Sequence, residues 1–155
     1  MKRFIIIFIS LLISSVAISQ TMSFPELFDK YAKADECKSV YMTAKMITTM
    51  ASASNDAKLV KLLEGIKSIR IISAPISNKD FSKDINSYIK NNNLPKLSSR
   101  YSDNRSDDFY FYNGGKSAKN SEFIMYTAEP NKITVVRIYG IFDVKDISKL
   151  SKITN

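Results

Sequence analysis

The last third of the chain dictates a sheet. Asp108–Tyr112, Glu122–Ala128 and Ile133–Ile141 are consecutive runs rich in aromatic and β-branched residues. Such side chains suit a pleated, half-buried surface. Asn113-Gly114-Gly115 and Glu129-Pro130-Asn131-Lys132 stand between them as turns. Short turns join antiparallel neighbours, so these runs predict a meander, with Leu97–Tyr101 as an added edge strand. Pro130 cannot take the positive φ of the tight primed turns, which predicts a loop made of all of residues 129–132. That loop sets Ala128 opposite Ile133, Tyr126 opposite Val135 and Ile124 opposite Arg137.

Helical periodicity fills the first two thirds. Ser23-Phe24-Pro25-Glu26 has the pattern of a capping box, and Phe24, Leu27, Phe28, Tyr31 and Ala32 follow on one face of a helix over about 24–34. Ser39–Met42 is β-prone. Thr43 caps a helix carrying Met46, Ile47 and Met50, and Leu59, Val60 and Leu63 mark another that ends at Gly65, placed as a C′ glycine. Ile66–Ile72 reads as a strand. Lys79–Asn91 is a helix with Phe81, Ile85, Tyr88 and Ile89 inward, broken by the asparagines before Pro95. Asp143 caps a last helix with Val144, Ile147 and Leu150 inward. The stretch 39–72, read as β-α-β, predicts one parallel pair with a right-handed crossover. The expected fold class is therefore α+β, a two-layer sandwich of one mixed, mostly antiparallel sheet with helices on one face.

The N-terminus is predicted to be an export signal. Lys2 and Arg3 precede an apolar stretch from Phe4 to Ile13, and Ala17 and Ser19 place small residues before a cut ahead of Gln20. The apolar stretch is shorter than the ~20 residues a membrane span needs. Residues 1–19 are thus expected to leave, and 20–155 to form a single periplasmic or secreted domain without a transmembrane span. Its charge is +6, since 23 basic residues lose Lys2 and Arg3 against 15 acidic ones. That balance favours anionic surfaces as partners. Cys37 is the only cysteine, so no intrachain disulfide forms and the core must hold the fold.

The order and spacing of several segments resemble the domain of unknown function 4252 family, a group of exported proteins of Bacteroidetes-type bacteria. The residues concerned are Phe28, Tyr31, Ser39-Val40-Tyr41-Met42-Thr43, Lys45-Met46, Met50, Leu63–Ile72, Glu129-Pro130, Ile133–Gly140 and Ile147. The resemblance implies export, a role at the cell envelope and a link to envelope signalling. It implies no catalytic residue. Some members resemble lipoproteins, but this chain has no lipobox cysteine, so a lipid anchor does not carry over.

Chemistry-bearing motifs are weak. The chain has no His, which removes the commonest general base and metal ligand. Gly114-Gly115-Lys116-Ser117 ends like a phosphate loop, but Tyr110 stands where that motif needs its first glycine. Met42, Met46 and Met50 recur every four residues and read as core packing before a Cu(I) site. Asp103, Asn104, Asp107 and Asp108 lack the spacing of a calcium loop. Phe109-Tyr110-Phe111-Tyr112 alternates like a base-stacking sheet, but export argues against nucleic acid. No cofactor or metal is expected. Glu26, Glu36, Glu64, Glu122 and Glu129 keep a carboxylate hydrolase open as an alternative. The leading expectation is a binding module for an envelope protein, with anionic lipid as a further alternative. Alternation places Phe123, Met125, Val136 and Ile138 on a face expected to meet the helices. Tyr110, Tyr112, Tyr126, Arg137 and Tyr139 share the other, expected to be half-exposed and to bind.

Overall fold

The computed structural model describes residues 22–53, 55, 57–113, 120–145 and 147. The expected signal peptide with its cut before Gln20, the Gly114–Ser117 turn, Leu150 and the side chain of Leu59 lie outside the described residues. The elements run α1 (Phe24–Ala32), β1 (Lys38–Thr43), α2 (Ala44–Ser52), α3 (Ala57–Glu64), β2 (Ile66–Pro75), α4 (Lys79–Asn91), β3 (Lys96–Ser102), β4 (Arg105–Tyr112), β5 (Ser121–Ala128) and β6 (Lys132–Gly140). The strands form one open antiparallel sheet in the order β1-β2-β6-β5-β4-β3. With its helices it is the expected α+β sandwich.

Local chemistry sets the helix ends. Ser23 and Glu26 form a reciprocal capping box on α1, with Pro25 in its first turn. Thr43 caps α2 and Asn78 caps α4 through side-chain oxygens. Helix α4 stops where Asn93 turns left-handed at φ 48° and the Leu94 N–H reaches back to the Ile89 carbonyl. Gly65 has a different role from the C′ position expected of it. The Ile141 N–H donates to its carbonyl, and a Cβ on Gly65 or Gly140 would collide with the backbone of the other segment. Close approach, not a positive φ, requires these glycines.

The meander has the expected register, with Ala128 facing Ile133, Tyr126 facing Val135 and Ile124 facing Arg137. The parallel pair expected within 39–72 is corrected, because β1 runs antiparallel to β2. The two helices expected here are both present, and it is their reading as a single crossover unit that fails. A single crossover helix returns the chain to a parallel start, while a helix pair returns it to the opposite end.

Two clusters hold the molecule. On one face α1 and α4 bury Phe24, Leu27, Phe81 and Ile85 against Ile72, Ile124, Ile133 and Val135. On the other, Ile47 of α2 and Leu62 of α3 pack with Ile66, Phe111, Phe123, Ile138 and Phe142. Helical cover is thus divided between the two sides, which corrects the expectation of helices on one face. Each fully buried Phe or Ile here contributes roughly 1.5–3 kcal/mol of transfer free energy.

Candidate functional site

The sheet register gathers all the residues singled out for binding onto one face. Arg137 faces Ile124, which faces Tyr110, and Tyr139 faces Glu122, which faces Tyr112. Tyr126 lies on the same side, one row along. The alternation is as expected, but the exposure is not. This is the face that α1 and α4 cover. Ile124 and Val135 are fully buried, and Tyr110 and Tyr126 pack against the same core. Only Tyr112 is exposed.

Arg137 is buried and therefore paired. Its guanidinium bonds Glu122, which also accepts the Tyr88 hydroxyl at 2.7 Å. The Phe24 and Tyr139 rings lie 5.0 and 4.5 Å from the cation. Burial, then the Glu122 charge and its hydrogen bond, push the Tyr88 hydroxyl well above the ordinary phenol range. Asn120 donates to the Tyr139 hydroxyl at 2.8 Å. Arg137, Glu122 and Tyr88 thus form a buried network, while Tyr110, Tyr126 and Tyr139 are half-buried around it. The sequence shows the residues but cannot show that two amphipathic helices would choose this side.

The bare surface lies on the opposite face, which divides into three rows. The first row, Met42, Ile69, Ile138, Phe123 and Phe111, lies with Ile47, Leu62 and Phe142 in the second core cluster. The second row is Val40, Ile71, Val136, Met125 and Phe109, each opposite the next. Val40 is exposed and the other four are half-buried. Strand spacing makes this an apolar strip about 19 Å long. The third row is polar: Ser73 bonds Thr134 at 2.9 Å, and Thr127 donates to the buried Asp107 at 2.7 Å. Arg100 and Arg105 also bond Asp107. Burial alone would raise this carboxyl, but the Thr127 hydroxyl and the two guanidinium groups hold it below its ordinary range.

The two sheet edges differ as well. Strand β3 is exposed throughout, but Pro95 precedes it and its ladder is irregular between Lys96 and Ser98. Its cations are paired, Lys96 with Asp108 at 2.9 Å and Arg100 with Asp107 at 2.7 Å. Strand β1 has a regular register and no such ion pair among the described residues. Its one charged residue is Lys38 at its start, and regular edges with few charges are the ones that accept partners.

The carboxylates held open for hydrolysis take separate places. Glu26 serves the α1 cap, Glu122 holds Arg137, and Glu129 pairs with Lys132 at 3.0 Å. Glu64 ends α3. Glu36 accepts from Asn78 at 2.6 Å and shares a shallow polar recess of about 360 Å³ with Asp80. Every described carboxylate with a displaced pKa is displaced downward, namely Glu26, Asp84, Asp107 and Asp108. A general acid needs the reverse. Asp107 and Asp108 point to opposite faces, and no group of three His, Cys, Asp or Glu suited to a metal occurs among the described residues. Cys37 is half-buried against the first core, and burial raises its thiol pKa.

The molecule is thus an α+β sandwich domain with one closed sheet face and one half-bare face. Among the described residues no helix is long and apolar enough to cross a membrane. The family model described as "Domain of unknown function (DUF4252)" matches residues 31–150, and the chain belongs to that family. No curated protein and no solved structure matches it.

Proposed function

We propose that this chain is an exported interaction module of the cell envelope that binds a protein partner through the half-bare sheet face. The observation that carries the reading is the apolar row Val40–Ile71–Val136–Met125–Phe109, of which Val40 is exposed and the rest keep part of their surface bare, although Phe109, Met125 and Val136 also pack against the second core. A contiguous apolar strip bordered by polar residues is the usual form of a protein-binding surface. Export rests on the basic, apolar and small-residue pattern of residues 1–19 and on the family resemblance.

Site-specific photo-crosslinking tests it. A crosslinker at Ile71 or Met125 should trap a defined envelope protein in intact cells, while one at the covered Ile124 should trap none. Equal trapping at all three positions, or none at Ile71 and Met125 in a folded chain, would reject the surface. Fractionation should also place a chain that begins at Gln20 outside the cytoplasm.

A further inference from the structure

Four of the nine large exposed apolar side chains among the described residues lie together at β1 and α2. Val40 and Tyr41 of β1 and Met46 and Met50 of α2 are 49, 45, 49 and 62% exposed. The two methionines are one helical turn apart on the side of α2 away from the buried Ile47 and Ala51. The same stretch holds Lys38 and Lys45, both exposed, and no Asp or Glu occurs from Cys37 to Asn55. Neither lysine has an ion pair among the described residues.

Arg70 adds a third cation. It faces Tyr41 across the β1–β2 ladder and is half-buried. Its guanidinium lies 4.4 Å from the Tyr41 ring and 5.6 Å from that of Phe28. Its one described hydrogen bond goes to Ser68 Oγ at 3.5 Å. The contrast is its cross-strand neighbour Arg137, which has Glu122. A half-buried guanidinium with ring contacts and no carboxylate partner among the described residues keeps its donor fork available for an outside oxyanion.

We infer that the β1 edge and the outer side of α2 form a docking surface for an anionic lipid bilayer. Met46, Met50 and Val40 enter the headgroup boundary, Lys38 and Lys45 meet lipid phosphates, and Tyr41 and Arg70 reach the interface from the other face of the same edge. The charge pattern selects this occupant. A second copy of the chain would set three cations against three. A single added strand would pair with β1 but leave the α2 methionines open. An anionic surface covers both the apolar and the basic groups. The surface extends the module reading from a protein partner to the lipid beside it, and the two proposals share the expected export and the edge residue Val40.

Vesicle flotation with the chain beginning at Gln20 tests the inference. It should float with vesicles of phosphatidylglycerol and phosphatidylcholine, and much less with phosphatidylcholine alone. Each cation lost near such a surface weakens binding about fivefold. The double variant K38E/K45E should therefore lose on the order of twentyfold or more, and R70Q about fivefold. M46S/M50S should bind more weakly and become more sensitive to salt. L97S/Y101S, at the opposite edge, should bind like the parent. Circular dichroism establishes that each variant is folded. Absence of flotation by the folded parent, equal losses at the opposite edge, or a dimer broken by V40K would overturn the lipid assignment. Soluble phosphate that competes only at its own ionic-strength effect supports a lipid surface. Saturable displacement by millimolar phosphate at constant ionic strength would instead assign Arg70 to a free anion and overturn it. Crosslinking at Ile71 and Met125 reads the protein partner separately, so the two proposals fail independently.

Discussion

The two faces of the sheet are built from similar residues and meet opposite fates. Ile124 and Met125 are neighbours in the chain, yet Ile124 is fully buried and Met125 half-buried. Both faces carry buried charge, Arg137 with Glu122 beneath α1 and α4 and Asp107, paired with Arg100 and Arg105, in the polar row opposite. The face opposite α1 and α4 is sealed only at the end reached by α2, α3 and Phe142. Hydrophobicity of a face thus does not tell which face is covered. What decides is which helices can return to it, given their lengths and connections.

The largest break in the comparison is expected at the buried ion pair. Glu122→Gln leaves Arg137 and Tyr88 without their acceptor charge, and should cost about 3–5 kcal/mol in urea unfolding. The double variant Glu122→Leu with Arg137→Met should recover most of that loss, because both charges leave together. If Glu122→Gln costs nothing measurable, the network is not desolvated and the closed face is open. Next come the matched neighbours. Ile124→Ala should cost about 2–5 kcal/mol and Met125→Ala about 1 kcal/mol or less, by their difference in burial. Equal costs would erase the distinction between the faces. Phe28→Ala, under α1, should match the larger value at about 3–5 kcal/mol.

Acid should act on the polar row. The Asp107 carboxyl is held below its unfolded pKa, so the unfolded chain binds its proton first. Its contribution is complete above the ordinary carboxylate range and is lost as pH falls below about 4. Unfolding free energies measured from pH 7 downward should drop less steeply for Asp107→Asn than for the parent. In alkali the covered face should respond. Burial, with the Asp84 bond also raising it, pushes the Tyr31 hydroxyl up to about 12. A raised phenol contributes stability below its unfolded value near 10 that is lost as pH climbs toward 12. Tyr31→Phe should flatten that alkaline loss. The smallest effect belongs to Val40→Lys, within about 0.5 kcal/mol, as an exposed edge position requires. A larger cost would mean that Val40 is covered.

Much of the fold was legible because its signals are local. The capping box at Ser23, the Thr43 cap, the α4 face and the 129–132 loop each depend on residues a few positions apart. Loop length and alternation together gave the β5–β6 register without error. The expectations that the structure corrects are mostly long-range; the local exception is α2, where Met46 and Met50, expected in the core, are exposed. One crossover was read between β1 and β2 although two helices lie there. Gly65 was assigned to a helix end, while its real constraint is Ile141, 76 positions away by number (141 − 65). The binding face was placed with the tyrosines and Arg137, residue types that serve equally in a buried network. Arg70 and the exposed β1 edge were passed over. The one available signal was the run without acidic residues from Cys37 to Asn55.

By itself the sequence determined which side chains share a face, where each helix begins and which strands neighbour each other in the meander. These follow from the two-residue period of strands, the 3.6-residue period of helices and the dihedral limits of Ser, Thr, Asn and Pro at their ends. Tertiary structure alone decided that β2 joins β6, that α1 and α4 take the face with the buried arginine, and that the row from Val40 to Phe109 stays half-bare. Those outcomes depend on how helices of fixed length pack against a sheet whose two sides are both apolar enough to receive them. No period along the chain encodes that choice, because it is settled by burial summed over the whole molecule.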